Sequence, residues 1–202
     1  MLLEGTGLGF RYGKASWLFR NLNIAVAAGE AVGLSGPSGC GKSTLGRILS
    51  GYLTPVEGTV ALNGQAPPAR GRHPVQLAFQ HPERSVNPRW RMKRVLEEGG
   101  GADPALLDAL GIQDSWLGRT PNECSGGELQ RVCIARALAG PTRFLIADEM
   151  TTMLDAVTQA QIWQAVLAIA RDRGLGLLVI SHDEPLIRRL CDRRLRLEAP
   201  IG

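Results

Sequence analysis

The stretch Gly36-Pro37-Ser38-Gly39-Cys40-Gly41-Lys42-Ser43-Thr44 leaves this chain few folds to choose from. It fits the pattern G-x-x-x-x-G-K-[ST] and lies between a short apolar run, Ala31 to Ser35, and a helical segment, Lys42 to Ser50. Glycines let successive backbone N–H groups converge on a phosphate with no Cβ in the way. The helix that follows presents the positive end of its dipole. This geometry needs a strand, a tight loop and a helix in that order, so an α/β fold with a phosphate-binding loop is predicted. Lys42 is expected to reach the β- and γ-phosphates of a nucleotide, and the Ser43 hydroxyl to complete a Mg²⁺ shell. The loop does not say what the nucleotide drives.

A second constraint is Arg143-Phe144-Leu145-Ile146-Ala147-Asp148-Glu149, an apolar run ending in two carboxylates. A buried parallel strand delivers its last residues to the carboxyl edge of the sheet, which also carries the phosphate loop. Asp148 is then expected to hold Mg²⁺ indirectly, through its water shell. Glu149 is expected to face the γ-phosphate and polarise the attacking water. Alone, these residues would read as an acidic turn after a core strand; beside a phosphate loop, the fold requires such a strand.

Further strands are predicted over Leu2 to Phe10 and Leu22 to Ala27, parted by the turn Gly13-Lys14-Ala15-Ser16, and over Thr59 to Leu62, Val75 to Phe79 and Gly176 to Ile180. Helices are predicted over Gly126 to Leu138, Thr158 to Arg171 and Glu184 to Cys191. Between about Asn87 and Asn122, Leu96, Leu106, Leu107, Leu110 and Leu117 recur at helical spacing, broken by Gly99, Gly100, Gly101 and Pro104. Short helices in a small inserted subdomain follow from that texture. Strands alternating with helices imply a largely parallel sheet.

Composition narrows the function classes. With 202 residues, 44% hydrophobic and 21% charged, the chain suits one domain carrying a small insertion. The net charge of +4 comes from dispersed Lys and Arg, the pattern of ordinary solubility, and no nucleic-acid partner is expected. Cys40, Cys124, Cys133 and Cys191 form no C-x-x-C pair, which argues against a zinc site and a disulfide framework and fits a reducing compartment. No apolar run approaches the roughly 20 residues that span a bilayer. The opening MLLEGTGLGFRYG lacks the basic start and apolar stretch of a signal peptide. A cytoplasmic location is expected, with any membrane part supplied by another polypeptide.

The third motif, Cys124-Ser125-Gly126-Gly127-Glu128-Leu129-Gln130-Arg131, makes a resemblance explicit. A lone Ser-Gly-Gly would be only a helix cap. Placed just before the Asp-Glu strand, it resembles the signature loop of ABC ATPases, a second anion-binding helix tip in one chain. The resemblance implies a P-loop NTPase core with a mainly parallel sheet, an N-terminal antiparallel β part and a helical subdomain at about 87–138 inserted in one domain, 1–202. It implies ATP and Mg²⁺ as ligands. It also implies that Ser125, Gly126, Gly127 and Glu128 cap the γ-phosphate held by a partner cassette, so that two cassettes sandwich two ATP molecules head to tail. By the same resemblance Gln80 is the Q-loop glutamine that ligates Mg²⁺, with Ser43 and, indirectly, Asp148. Asp155 in Leu154-Asp155 belongs to the D-loop, His182 is the switch histidine touching the γ-phosphate, and Tyr12 is the aromatic that stacks on adenine.

Within the family, Phe79-Gln80-His81-Pro82, Val86-Asn87-Pro88-Arg89 and Thr158-Gln159-Ala160-Gln161-Ile162 look like the dipeptide, oligopeptide and nickel importer group. The implied partners are a second cassette, identical or different, transmembrane permease subunits and an extracytoplasmic solute-binding protein; the implied place is the cytoplasmic face of the membrane. The sequence departs from the group at Met150, where proline is usual, and at Thr152-Met153, where Ser-Ala is usual. The C-terminal extension of many members, including the cysteine-rich segment that holds an iron–sulfur cluster in some, is expected to be absent. Two other readings stay open at this point: a non-transport ABC ATPase, and a regulatory subunit that binds nucleotide while its partner hydrolyses it.

Overall fold

The computed structural model describes residues 1–68, 71–101 and 103–198. From the N-terminus the chain forms β1 (Leu2–Phe10), β2 (Phe19–Ala27) and β3 (Ala31–Ser35), then α1 (Lys42–Leu49), β4 (Glu57–Leu62) and β5 (Val75–Ala78). A helical stretch follows: α2 (Met92–Glu98), α3 (Pro104–Ala109), α4 (Asp114–Leu117) and α5 (Gly126–Leu138). The chain then alternates through β6 (Phe144–Asp148), α6 (Ala156–Arg173), β7 (Gly176–Ile180), α7 (Glu184–Leu190) and β8 (Arg193–Arg196).

Two sheets result. β5, β6, β7, β3 and β8 lie side by side in that order with every pairing parallel, while β2, β1 and β4 form a separate antiparallel sheet. All residues of β3, β6 and β7 are buried, as parallel strands covered on both faces must be. Their side chains divide by the two-residue period of the pleat. Val32, Leu34, Phe144, Ile146, Leu178 and Ile180 join one apolar cluster with α1 and the antiparallel sheet. Leu145, Ala147, Leu177 and Val179 join the other, with α2, α5 and α6. The expected α/β architecture holds.

The differences from the sequence reading are at the margins. β2 begins at Phe19, three residues before the predicted Leu22, because Phe19 pairs with Phe10 across the hairpin. α6 begins at Ala156 and not Thr158, since the Asp155 side chain caps it by accepting from the N–H groups of Val157 and Thr158. β8 was not anticipated: its sequence, Arg-Arg-Leu-Arg, is charged, which an edge strand tolerates. Within the helical stretch, Leu96, Leu106 and Leu110 are buried and Leu107 and Leu117 partly so, against the face of the core that carries α5 and α6. No helix among the described residues is long and apolar enough to cross a membrane.

Candidate functional site

Because β3, β5, β6 and β7 run parallel, their carboxyl ends lie along one edge. The segments that leave this edge are the phosphate loop after β3, Phe79-Gln80 after β5, Asp148-Glu149 at the end of β6 and Ser181-His182 after β7. The sequence motifs, scattered over nearly 150 positions, thus project from one line (from Gly36 to His182).

The phosphate loop is held by its own side chains. Lys42 is only 8% exposed, and its ammonium donates to the carbonyls of Gly36 and Pro37, both at 2.9 Å. Gly41 caps α1 with φ +100°, and a Cβ there would meet the Phe19 ring at 2.9 Å. Both the left-handed backbone and the lack of room require glycine at that position. Cys40 is fully buried beneath the loop, whereas Ser38 and Gly39 are exposed at its rim. Thr44 is buried and shares a hydrogen bond of 3.2 Å with the Tyr12 hydroxyl. Tyr12 packs edge-on to Phe10, with ring centroids 5.0 Å apart, yet remains 52% exposed. A tyrosine fixed at its hydroxyl with an open ring beside the phosphate loop offers a stacking surface for a flat base.

The Ser43 hydroxyl donates to Oδ1 of Asp148 at 3.0 Å, joining the first residue after Lys42 to the end of β6. Asp148 is 6% exposed, and burial pushes its carboxyl above the usual carboxylate range; the Ser43 hydrogen bond pulls the other way and the neighbouring Glu149 adds to the rise. A desolvated carboxylate next to a hydroxyl is a pair of hard oxygen donors of the kind that Mg²⁺ takes. Gln80 directs its amide nitrogen to Thr152 Oγ1 at 3.3 Å, which leaves its side-chain carbonyl oxygen without a protein partner among the described residues.

Glu149 occupies an unusual backbone region, with φ +48°. Its N–H donates to the Ile180 carbonyl at 3.0 Å, and its carbonyl accepts from the Thr152 hydroxyl at 2.9 Å. Its carboxylate meets Nδ1 of His182 at 3.2 Å, with the histidine side chain 67% exposed. The following Met150 and Thr151 are buried, and the Trp163 indole N–H donates to Thr151 Oγ1 at 3.0 Å. Thus the Met150–Met153 segment, the place where the sequence departs from its resembled group, is anchored to the core at its first two residues. Met153, by contrast, is exposed.

The signature residues lie apart from this line. Ser125 caps α5: its Oγ accepts from the Glu128 N–H at 3.2 Å, and the Glu128 carboxylate accepts from the Ser125 N–H at 2.7 Å. Arg119 steadies Glu128 at 3.3 Å. Ser125 and Gly126 are exposed, and no hydrogen bond joins residues Ser125–Glu128 to the phosphate loop among the described residues. A Cβ on Gly127 would meet the Thr158 methyl at 3.2 Å, so the tip rests on the first turn of α6. The Asp155 carboxylate that caps this turn accepts from Thr158 Oγ1 at 2.6 Å, and these hydrogen bonds hold its pKa below the usual range.

Sequence reasoning had not assigned roles to Thr152, which bridges Gln80 and Glu149, or to Thr151, which is tied to Trp163. Both links are contacts across the fold and leave no periodic trace; the departure at Thr152 was the only available signal.

Comparison with known proteins agrees with this geometry. The family model described as ABC transporter matches residues 19–152. The nickel import ATP-binding protein NikE of Escherichia coli (strain K12) is 33% identical over 219 residues, covering 95% of this chain and 82% of NikE. NikE of Escherichia coli O157:H7 is 35% identical over 195 residues, covering 87% and 73%. Among solved structures, the dimeric post-hydrolysis state of the ATP-binding cassette MJ0796 bound to ADP and Pi superposes with a TM-score of 0.82 at 25% identity, covering 98% of this chain and 96% of that one. The chain therefore belongs to the ABC transporter family, as one of its ATPase cassettes.

Proposed function

We propose that this chain is the ATP-hydrolysing subunit of an importer for nickel, peptide or a related small solute, working on the cytoplasmic face of the membrane through separate permease subunits. The observation that carries the reading is a division of labour. Lys42, Ser43, Asp148, Glu149 and His182 converge at one sheet edge, while the capped tip at Ser125 is exposed elsewhere. The similarity to NikE, named as a nickel import ATP-binding protein, supports nickel uptake; the proposed system also includes a solute-binding protein.

In this reading residues 1–202 are one cassette with a helical subdomain at about 87–138. Tyr12 stacks on adenine, and the loop amides with Lys42 hold the phosphates. Ser43, Gln80 and, through water, Asp148 would hold Mg²⁺, which when bound offsets phosphate charge. Glu149 accepts a proton from the water that attacks the γ-phosphorus. The bond from that phosphorus to the β–γ bridging oxygen breaks, and ADP leaves with the electron pair. His182 orients the Glu149 carboxylate through Nδ1. The Ser125 hydroxyl already accepts from Glu128, so its proton is available to a γ-phosphate on a second cassette. ATP then joins two cassettes, and hydrolysis removes the joint.

The test is Glu149→Gln in the full chain, with Lys42→Ala as the binding control. Glu149→Gln is expected to bind ATP, to accumulate as a dimer on size-exclusion chromatography and to hydrolyse at under a hundredth of the wild-type rate, within the range assigned to general-base catalysis of roughly a hundredfold or more. Lys42→Ala is expected to lose turnover. Undiminished hydrolysis by Glu149→Gln would refute the assignment.

A further inference from the structure

Thr152 stands between two residues of the proposed site. Its hydroxyl donates to the Glu149 carbonyl at 2.9 Å, and its backbone N–H donates to the same oxygen at 3.2 Å. A hydroxyl has one proton, so once it is given to Glu149 the oxygen can only accept, and the donor it accepts from is the Gln80 amide at 3.3 Å. Gln80 and Thr152 are 72 positions apart in the chain, on the segments that follow the adjacent strands β5 and β6. The base of the Gln80 segment is held too: the buried Gln130 side chain of α5 donates to the Phe79 carbonyl at 3.4 Å.

Glu149 itself is at φ +48°, a region that a residue with an ordinary side chain occupies only when its surroundings impose it. What imposes it is visible. The Ile180 carbonyl takes the Glu149 N–H, and Thr152 supplies both donors to the Glu149 carbonyl. Beyond Glu149, Met150 and Thr151 are buried, and Thr151 is tied to Trp163. The turn is thus fixed at its floor. On its open side it meets Gln80.

We propose that Thr152 is a positioning residue that makes the backbone setting of Glu149 depend on where the Gln80 amide is placed. When the Gln80 segment shifts, the Thr152 oxygen loses the donor that polarises its O–H, and the second hydrogen bond to the Glu149 carbonyl weakens. The carboxylate's aim follows its backbone. A partner that moves the Gln80 segment would in this way adjust the water-activating group without touching it. The Gln80 amide is oriented by the same bond, through its nitrogen to Thr152. This inference rests on the reading of Glu149 as the hydrolytic carboxylate.

The experiment is hydrogen–deuterium exchange of the full nucleotide-free chain, read on the peptide that covers residues 149–155, with steady-state ATP hydrolysis in parallel. Thr152→Val exchanges the hydroxyl for a methyl at nearly constant shape. Loss of one such hydrogen bond is expected to speed exchange of that segment by about threefold to tenfold. It is expected to lower kcat by a similar factor while KM for ATP stays within about twofold. Thr152→Ser is expected to restore both. Gln80→Ala, which leaves the turn's own residues intact, is expected to speed exchange of the same segment, and the double variant to exchange no faster than Thr152→Val. Wild-type exchange of 149–155 in Gln80→Ala, failure of serine to rescue, or multiplied effects in the double variant would each overturn the proposal. A wild-type chain that hydrolyses no ATP would instead refute the functional reading, with the exchange data still deciding the link.

Discussion

Replacing Asp148 by asparagine is expected to stabilise the nucleotide-free protein while destroying its chemistry. The carboxylate is 6% exposed at the end of β6, and the Ser43 hydroxyl at 3.0 Å is its hydrogen-bond partner. Burial raises its pKa, against the effect of Ser43, so folding disfavours its charge. Asparagine has the same outline and keeps an acceptor oxygen for Ser43 but carries no charge to desolvate. A relief of about 1 kcal/mol is reasonable for one partly compensated buried charge, and in a chain of this size that moves the melting temperature up by about 2–4 °C. The sign follows from linkage. An acid whose folded pKa lies above its unfolded value costs stability at pH above the folded value. That cost fades as pH falls through the folded value toward the ordinary aspartate value of about 3.9. Asp148→Asn should therefore exceed wild type most clearly at neutral pH, and the gap should close on acidification. Calorimetry without nucleotide, in the presence of a chelator, from pH 7.5 downward would measure it. A lower melting temperature for Asp148→Asn at pH 7.5, or a gap that does not change with pH, would refute the reasoning.

Two further substitutions probe the two helix tips. Gly41→Ala places a Cβ at 2.9 Å from the Phe19 ring on a backbone of φ +100°, so titration with a fluorescent ATP analogue should show at least tenfold weaker binding; unchanged affinity would mean that the loop tolerates the shift. Ser125→Ala removes the cap of α5 at a cost of about 1 kcal/mol, and should impair ATP-induced dimerisation by light scattering while binding of nucleotide to the monomer is unchanged. Equal loss of monomer binding would place Ser125 at its own chain's nucleotide instead of a partner's.

The parts of this fold that announce themselves in the sequence are those where one physical demand dominates. β3, β6 and β7 are buried on both faces, so each reads as an unbroken apolar run, and the residue at which polarity returns marks the functional edge. The phosphate loop is legible because close approach of backbone to phosphate excludes side chains. β8 had no such demand: at the edge of the sheet it is partly exposed at Arg193 and Leu195 and open at Arg194 and Arg196, and its pairing with β3 supplies what its composition does not. The start of α6 is legible in principle, since Asp155 followed by a helical pattern is a capping signal.

What the sequence could not convey is how the site's residues depend on one another. Ser43 and Asp148 are 105 positions apart, His182 and Glu149 33, and Gln80 and Thr152 72. Each pair meets because the sheet order places β5 beside β6, β6 beside β7 and β7 beside β3, an order that differs from the order along the chain. A substitution at Thr152 is therefore conservative when judged by residue type and consequential when judged by neighbours. Serine and threonine both offer the hydroxyl, and the hydroxyl is what joins two strand ends. The threonine methyl adds bulk but no bond, so exchange for serine should cost little and exchange for valine should cost the link. In the proposed reading Thr152, which contacts Gln80 and Glu149 and is given no contact with phosphate, is then the position where hydrolysis is expected to be tuned without loss of nucleotide binding.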